Sequence, residues 1–213
     1  EGDLLFGSLG VKIFSFGNMD FEPGDAEFWY GMVRCNKPST IIEIGGGNST
    51  LLAAKAIIKN AEADVTYKCR HICIEPFENP WLDKMDIEIL RNKVENVNLK
   101  IFESLSENDI LFIDSSHMIR PQGDVLFEYL TLLPILKKGV IVHVHDIFSP
   151  KNYPEYWLIN KVKFWNEQYL LEAFLTSNPE WKIIASLCYL HQNYYERLLE
   201  KAPYLKKHHI PGS

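Results

Sequence analysis

"TIIEIGGGNSTLLAAKAIIKN", residues 40–60, changes character twice. It opens with a short apolar, β-branched run, the pattern of a strand buried on both faces. The glycine turn "GGGNST" follows, and then a run of good helix formers whose apolar residues recur at helical spacing. Strand, glycine turn and helix in that order predict the first unit of a parallel α/β sheet. Outward from this unit the alternation continues. "HICIE" (71–75), "VNLKIF" (97–102), "DILFID" (109–114), "GVIVHVH" (139–145) and "WKIIASLCYL" (181–190) read as strands. Helices are expected in "DKMDIEILRNKV" (83–94), in "DVLFEYLTLLPILKK" (124–138), whose leading Asp124 suits the helix dipole, and in "KFWNEQYLLEAFLTSN" (163–178). The predicted fold is a doubly wound, mostly parallel sheet with helices on both faces.

The 213 residues suit one domain with one core. Within it, residues 1–37 form a lid or packing helix, 38–190 the core sheet, and 191–213 a C-terminal helix and tail. Hydrophobic residues make up 46% and charged residues 23%, and no low-complexity linker divides the chain. A net charge of −6 with no basic cluster argues against nucleic acid as a partner. No apolar run approaches the roughly 20 residues that span a bilayer, and no signal-peptide pattern opens the chain, so a soluble, cytoplasmic protein is expected. Cys35, Cys69, Cys73 and Cys188 form no C-x-x-C pair and are read as reduced thiols. Glu1 in place of an initiator Met and the ending "HHIPGS" suggest a processed chain or a piece of a longer one.

In open parallel sheets ligands bind beyond the carboxyl ends of the strands. Here four predicted strands end in polar chemistry: Glu43 with Gly45-Gly46-Gly47, then Glu75, then Asp114-Ser115-Ser116-His117, then His143-Val144-His145-Asp146. The glycine turn lets a ligand approach the backbone at a helix N-terminus. Thr50 stands where a G-x-G-x-x-G fingerprint requires its third glycine, which argues against a nicotinamide dinucleotide. Glu75 can accept from two ribose hydroxyls at once. His143 and His145 lie two apart and share a strand face, with His143 deeper and read as a core residue.

"IIEIGGGNST", "ICIEP", "ILFIDSSHMIRPQGDV", "LKKGVIVHVHDIF" and "FWNEQYLLEAFLTSNPEWKI" together resemble a class I S-adenosylmethionine-dependent methyltransferase. The likeness is to the bacterial group associated with sugar and polysaccharide biosynthesis, and it spans residues 20–190. It implies S-adenosyl-L-methionine (SAM) as cofactor, held by Glu43, Gly45, Gly47, Asn48, Glu75 and Asp114, with Glu103 and Ser104 flanking the adenine. Metal-dependent O-methyltransferases of this fold carry carboxylates at the ends of the fourth and fifth strands. The corresponding set is Asp114, Asp146 and His145, suited to Mg²⁺ or, with the imidazole, Mn²⁺. His117, three residues after Asp114, stands where catechol-type relatives carry a lysine base; His145 and Asp146 complete the expected catalytic set. A metal-free mechanism with His117 or His145 as base is the alternative.

The resemblance implies O-methylation of a sugar or polysaccharide hydroxyl on a small-molecule or glycan acceptor. The aromatic segment "IFSPKNYPEYWLINKVKFW" is either a sugar-stacking surface or a seal for a helix, and Arg120 is read as a surface residue. A homo-oligomer or a partner domain is expected. The last antiparallel strand usual in this fold is expected to be missing. Two rival readings stay open: a metal-dependent hydrolase or oxygenase built on His143, His145 and Asp146, and a non-catalytic domain retaining the fold.

Overall fold

The computed structural model describes residues 12–18 and 20–213; residues 1–11 and Met19 of the expected N-terminal segment 1–37 lie outside the described residues. Five strands, β1 (Thr40–Ile44), β2 (Arg70–Ile74), β3 (Glu88–Leu90), β4 (Ile110–Ile113) and β5 (Ile141–Val144), form one parallel sheet in the order β3-β2-β1-β4-β5. The order reverses between β1 and β4. Among the described residues the helices of eight residues or more are α1 (Asp25–Asn36), α2 (Asn48–Ala63) and α6 (Glu167–Leu175). Shorter ones are α3 (Lys100–Glu103), α4 (Asp124–Phe127), α5 (Glu155–Ile159), α7 (Leu187–Asn193) and α8 (Tyr195–Leu199).

Strand alternation builds two core layers. Ile42 and Ile44 of β1 with Leu111 and Ile113 of β4 point to one side, where Phe102, Tyr129 and Leu132 pack. Ile41, Ile110 and Phe112 point to the other, against Trp29 and Val33 of α1 and Ala53 and Ala56 of α2. The small residues of α2 let it lie close to the sheet, and α1 packs against α2 as part of this layer. At the amino ends of the strands, buried Asp109 accepts from Ser39 Oγ at 2.8 Å and from Thr40 N–H at 2.7 Å, tying β4 to β1. All four cysteines are free thiols. No helix among the described residues is long and apolar enough to cross a membrane.

Three elements differ from the sequence reading. The third strand is Glu88–Leu90, inside the segment expected to be helical, and residues 97–102 are not a strand. The alternation in "DIEIL" wins because it lies along β2, where Arg70 clasps Glu88 through a two-pronged ion pair. In "VNLKIF", Asn98 accepts the Lys100 N–H and starts a helical turn that buries Phe102. The predicted sixth strand is absent: residues 181–186 are irregular, Ile183 and Ile184 are exposed, and Ser186 caps α7 by accepting the Tyr189 N–H. Among the described residues no strand pairs with the outer edge of β5, which this segment leaves open. The helix expected over 124–138 is broken into α4, a π-helical stretch at Glu128–Leu132 and a 3₁₀ turn at Leu133–Ile135.

Candidate active site

At the switch point β1 gives way to Gly45, whose φ of 90° favours glycine. A Cβ there would stand 2.1 Å from the Asp114 carbonyl oxygen, so this glycine lets β1 and β4 meet at their ends. Gly46 is also tight, a Cβ there standing 2.8 Å from Cys73 Sγ. Gly47, by contrast, faces open space and caps the 16-residue helix α2. Beyond it lies a cavity of about 300 Å³, lined among others by Phe21, Gly47, Asn48, Trp81 and Asp114. Asn48, which also lines it, carries a buried carboxamide oxygen with no hydrogen-bond partner. Glu75 holds the loop in shape: its carboxylate accepts from the Gly46 N–H at 3.0 Å and from the Phe77 N–H at 2.9 Å. Each carboxylate oxygen has two lone pairs, so capacity for a ligand's hydroxyls remains.

Asp114 also belongs to a second cluster. After β4 the chain turns sharply, with His117 at φ 58°, and after β5 it does so again at Asp146, φ 59°. Both are non-glycine residues in the left-handed region, a strain typical of functional sites. The turns bring His117 Nε2 to 3.3 Å from Asp114 and 3.6 Å from Asp146. The other ring nitrogen, Nδ1, lies 2.8 Å from Glu167 of α6. The His117 carbonyl accepts the Asn166 and Glu167 N–H groups, so the same residue fixes the start of that helix. Tyr129 donates to the other Glu167 oxygen at 2.9 Å. Burial alone would lower the His117 pKa, but the bonds to Asp114 and Glu167 outweigh it and raise the pKa well above 6.5. The carboxylates around it thus favour the charged form of the ring. Asp114 is correspondingly lowered, its burial being outweighed by His117 and His145. Glu128, at the π-helical stretch, is driven the other way by burial and by Glu167, and accepts from Ser115 at 3.0 Å.

Asp114, His145 and Asp146 each present one donor atom within 4.8 Å of the others. Ligands around a small dication sit about 2.1 Å from it, hence at most about 4.2 Å apart. Sub-ångström shifts would close the set, and two carboxylates with an imidazole fit Mn²⁺ or a similar ion.

Other expected residues lie elsewhere. Glu43 is fully buried and bonds His71 Nε2 at 2.8 Å across β1 and β2. Glu103 and Ser104 are exposed at the end of α3, away from the cavity; the residue following the observed β3 is Arg91, which donates to the Glu75 and Phe77 carbonyls. His143 is walled in by Trp29 and Phe112, and burial lowers its pKa to about 3. It is outside the donor set, which leaves the rival His143–His145–Asp146 centre without one of its three members. Arg120 is half-exposed and pairs with Asp124.

The sequence reading missed Glu167, Glu128, Asp25 and Ser213. Glu167 had a signal: with Leu170, Leu171 and Phe174 it falls on the apolar stripe of its helix, the wrong place for a solvated charge.

Residues 42–147, just under half of the chain, match the family model described as a methyltransferase domain. This segment is the part of the chain that is similar to a methyltransferase domain. It runs from β1 past the end of β5 and so takes in the glycine turn, Glu75, Asp114, His117, His145 and Asp146. A solved O-methyltransferase from Bacillus cereus in complex with S-adenosylhomocysteine (SAH) aligns over 83% of this chain and 77% of that one, at 14% identity and a TM-score of 0.48. No curated protein matches the sequence.

Proposed function

We propose that the chain is a SAM-dependent O-methyltransferase acting on a sugar-type hydroxyl. One observation carries this reading: Asp114 both lines the cavity beyond the glycine turn and anchors the His117 cluster, so cofactor space and proton-handling groups share a wall. In methyl transfer the acceptor oxygen bonds the methyl carbon as the carbon–sulfur bond breaks, its electron pair returning to sulfur. The sulfonium is already activated, so the protein has to align the oxygen and take its proton. Glu167 orients His117 through Nδ1, leaving Nε2 toward Asp114 and Asp146 as the proton acceptor once it has shed its own proton. Asp114, His145 and Asp146 would hold a divalent cation, which would lower the pKa of the acceptor hydroxyl.

The acceptor side is aromatic. Trp165 lies 4.3 Å from the His117 ring, and Lys163 sits over Trp157 and Trp165 at 4.1 and 3.7 Å. A sugar ring would stack on these indoles by displacing the Lys163 ammonium that now covers them. The test is calorimetric titration with SAM and SAH, followed by methyl-transfer assays on a sugar panel with and without Mn²⁺. Micromolar SAH binding that Glu75→Ala abolishes, and turnover that Glu167→Gln lowers about a hundredfold, are expected. Absence of SAH binding to folded protein would refute the proposal.

A further inference from the structure

Asp25, the first residue of α1, is only 3% exposed, yet its carboxylate is fully engaged by a segment nearly the whole chain away. Oδ2 accepts the Gly212 N–H at 3.1 Å, and Oδ1 accepts the Ser213 hydroxyl at 2.6 Å. Residues 211–213 are laid across the carboxyl end of β5 as a strap. The Gly212 carbonyl accepts the Ile147 N–H at 3.1 Å, the Ser213 carbonyl accepts the Leu187 N–H at 2.7 Å, and Pro211 packs on Gly24. Gly212 fits because a Cβ there would stand 2.7 Å from the Phe148 ring.

The strap ends on a site residue. Ser213 Oγ lies 3.2 Å from Nδ1 of His145, whose Nε2 lies 3.8 Å from Asp146. Counting protons decides the direction of each bond. A hydroxyl has one proton, and the 2.6 Å bond to a buried carboxylate claims it, since charge-assisted bonds of this kind are the strong ones. Ser213 Oγ can then only accept from His145, so Nδ1 carries a hydrogen. A neutral imidazole has a single N–H, which leaves Nε2 with its lone pair.

We infer that Asp25 and Ser213 are positioning residues: they hold His145 in the Nδ1–H tautomer and aim its Nε2 lone pair into the space shared with Asp114 and Asp146. Around the rest of the ring stand Phe21, at 4.8 Å, and Phe112, at 6.2 Å, neither of which selects a tautomer. Whenever the ring is neutral, the strap therefore gives His145 the state that a metal ligand or proton acceptor needs, and disfavours the neutral tautomer that would point a hydrogen at the carboxylates. This rests on the reading of the cluster as the acceptor side of a methyltransferase, but tautomer and turnover are measured separately.

The experiment uses the full chain labelled with ¹⁵N-histidine, with long-range ¹H–¹⁵N correlation spectra recorded at a pH high enough that the ring is neutral. The expected wild-type spectrum shows His145 protonated at Nδ1. Ser213→Ala shifts it to the Nε2–H form or to a mixture, and Ser213→Thr, which keeps the hydroxyl, restores the wild-type pattern. SAH titration of each variant reports whether the cofactor side is intact, and failure of SAH binding in the wild type would count against the methyltransferase reading alone. A wild-type His145 protonated at Nε2, or a Ser213→Ala spectrum identical to wild type, would overturn the inference.

Discussion

His143 should make the fold sensitive to mild acid. Its ring is enclosed by Phe28, Trp29 and Phe112, and its Nε2 has no hydrogen-bond partner, so a charged imidazolium would be stranded in an aromatic pocket. Burial accordingly lowers its pKa from 6.5 to about 3. Above pH 6.5 the ring is neutral whether the chain is folded or not, and the contribution to stability is intact. As the pH falls below 6.5 the unfolded chain takes up a proton that the folded chain refuses until near pH 3, so stability is lost across that window. At about 1.4 kcal/mol per unit, a move from pH 7.5 to 5.0 costs about 2 kcal/mol through this one residue. His145 and His117 are shifted the other way, raised rather than lowered, so the quantity to measure is a difference. His143→Leu is close in volume and removes both the titration and the unpaired nitrogen. Urea unfolding of wild type and variant at several pH values should show stabilities within about 1 kcal/mol at pH 7.5 and a gap widening in the variant's favour by about 2 kcal/mol at pH 5.0. Parallel pH profiles would refute the reasoning, because they would mean that His143 accepts a proton in the folded chain as easily as in the unfolded one.

Gly45→Ala should cost roughly 3 kcal/mol in denaturant unfolding and abolish SAH binding, since it meets both a left-handed φ and the Asp114 carbonyl. Gly47→Ala, which meets nothing, should stay within about 1 kcal/mol of wild type while weakening SAH; equal stability losses at the two positions would contradict this. His117→Gly relieves a left-handed residue, worth about 1 kcal/mol, but strips the imidazolium from Asp114, Asp146 and Glu167, where breaking a buried pair costs roughly 3–5 kcal/mol; net destabilisation in urea is expected, and a more stable variant would show that the ring is not charged. At pH 8 a thiol reagent should modify one cysteine quickly, the exposed Cys35, because burial pushes Cys69 up to about 11, leaving about a thousandth of it as thiolate, and Cys73 and Cys188 are buried; equal rates at Cys35 and Cys69 would exclude this picture.

What could be read in advance follows from where each interaction is encoded. Strands β1, β2 and β4 lie inside the sheet, buried along nearly their whole length, so their sequences are dominated by short apolar, β-branched runs. Strand β3 is three residues at the sheet edge with an exposed Glu88, and so short an alternation inside a polar stretch reads equally as helix; only the β2 edge beside it decides. Residues 181–186 show the reverse, a strand-like pattern that the folded chain leaves irregular and unpaired. The same division runs through the site. Glu75, Asp114, His117, His145 and Asp146 follow directly on strands, and a sheet aligns its strand ends whatever else happens, so their proximity is implied by the topology alone. Glu167 and Asp25 arrive from helices on either side of the sheet in sequence, and nothing local states which strand end they will meet. Both nevertheless stand on the buried stripes of amphipathic helices, Glu167 with Leu170, Leu171 and Phe174, and Asp25 with Trp29 and Val33. A charge on such a stripe sets local pattern against burial, and that conflict is the trace a side chain recruited for function leaves in a sequence. Ser213 leaves no such trace, because a hydroxyl in a polar tail contradicts nothing around it; its role exists only in the direction of the hydrogen bonds that the folded strap makes with Asp25 and His145.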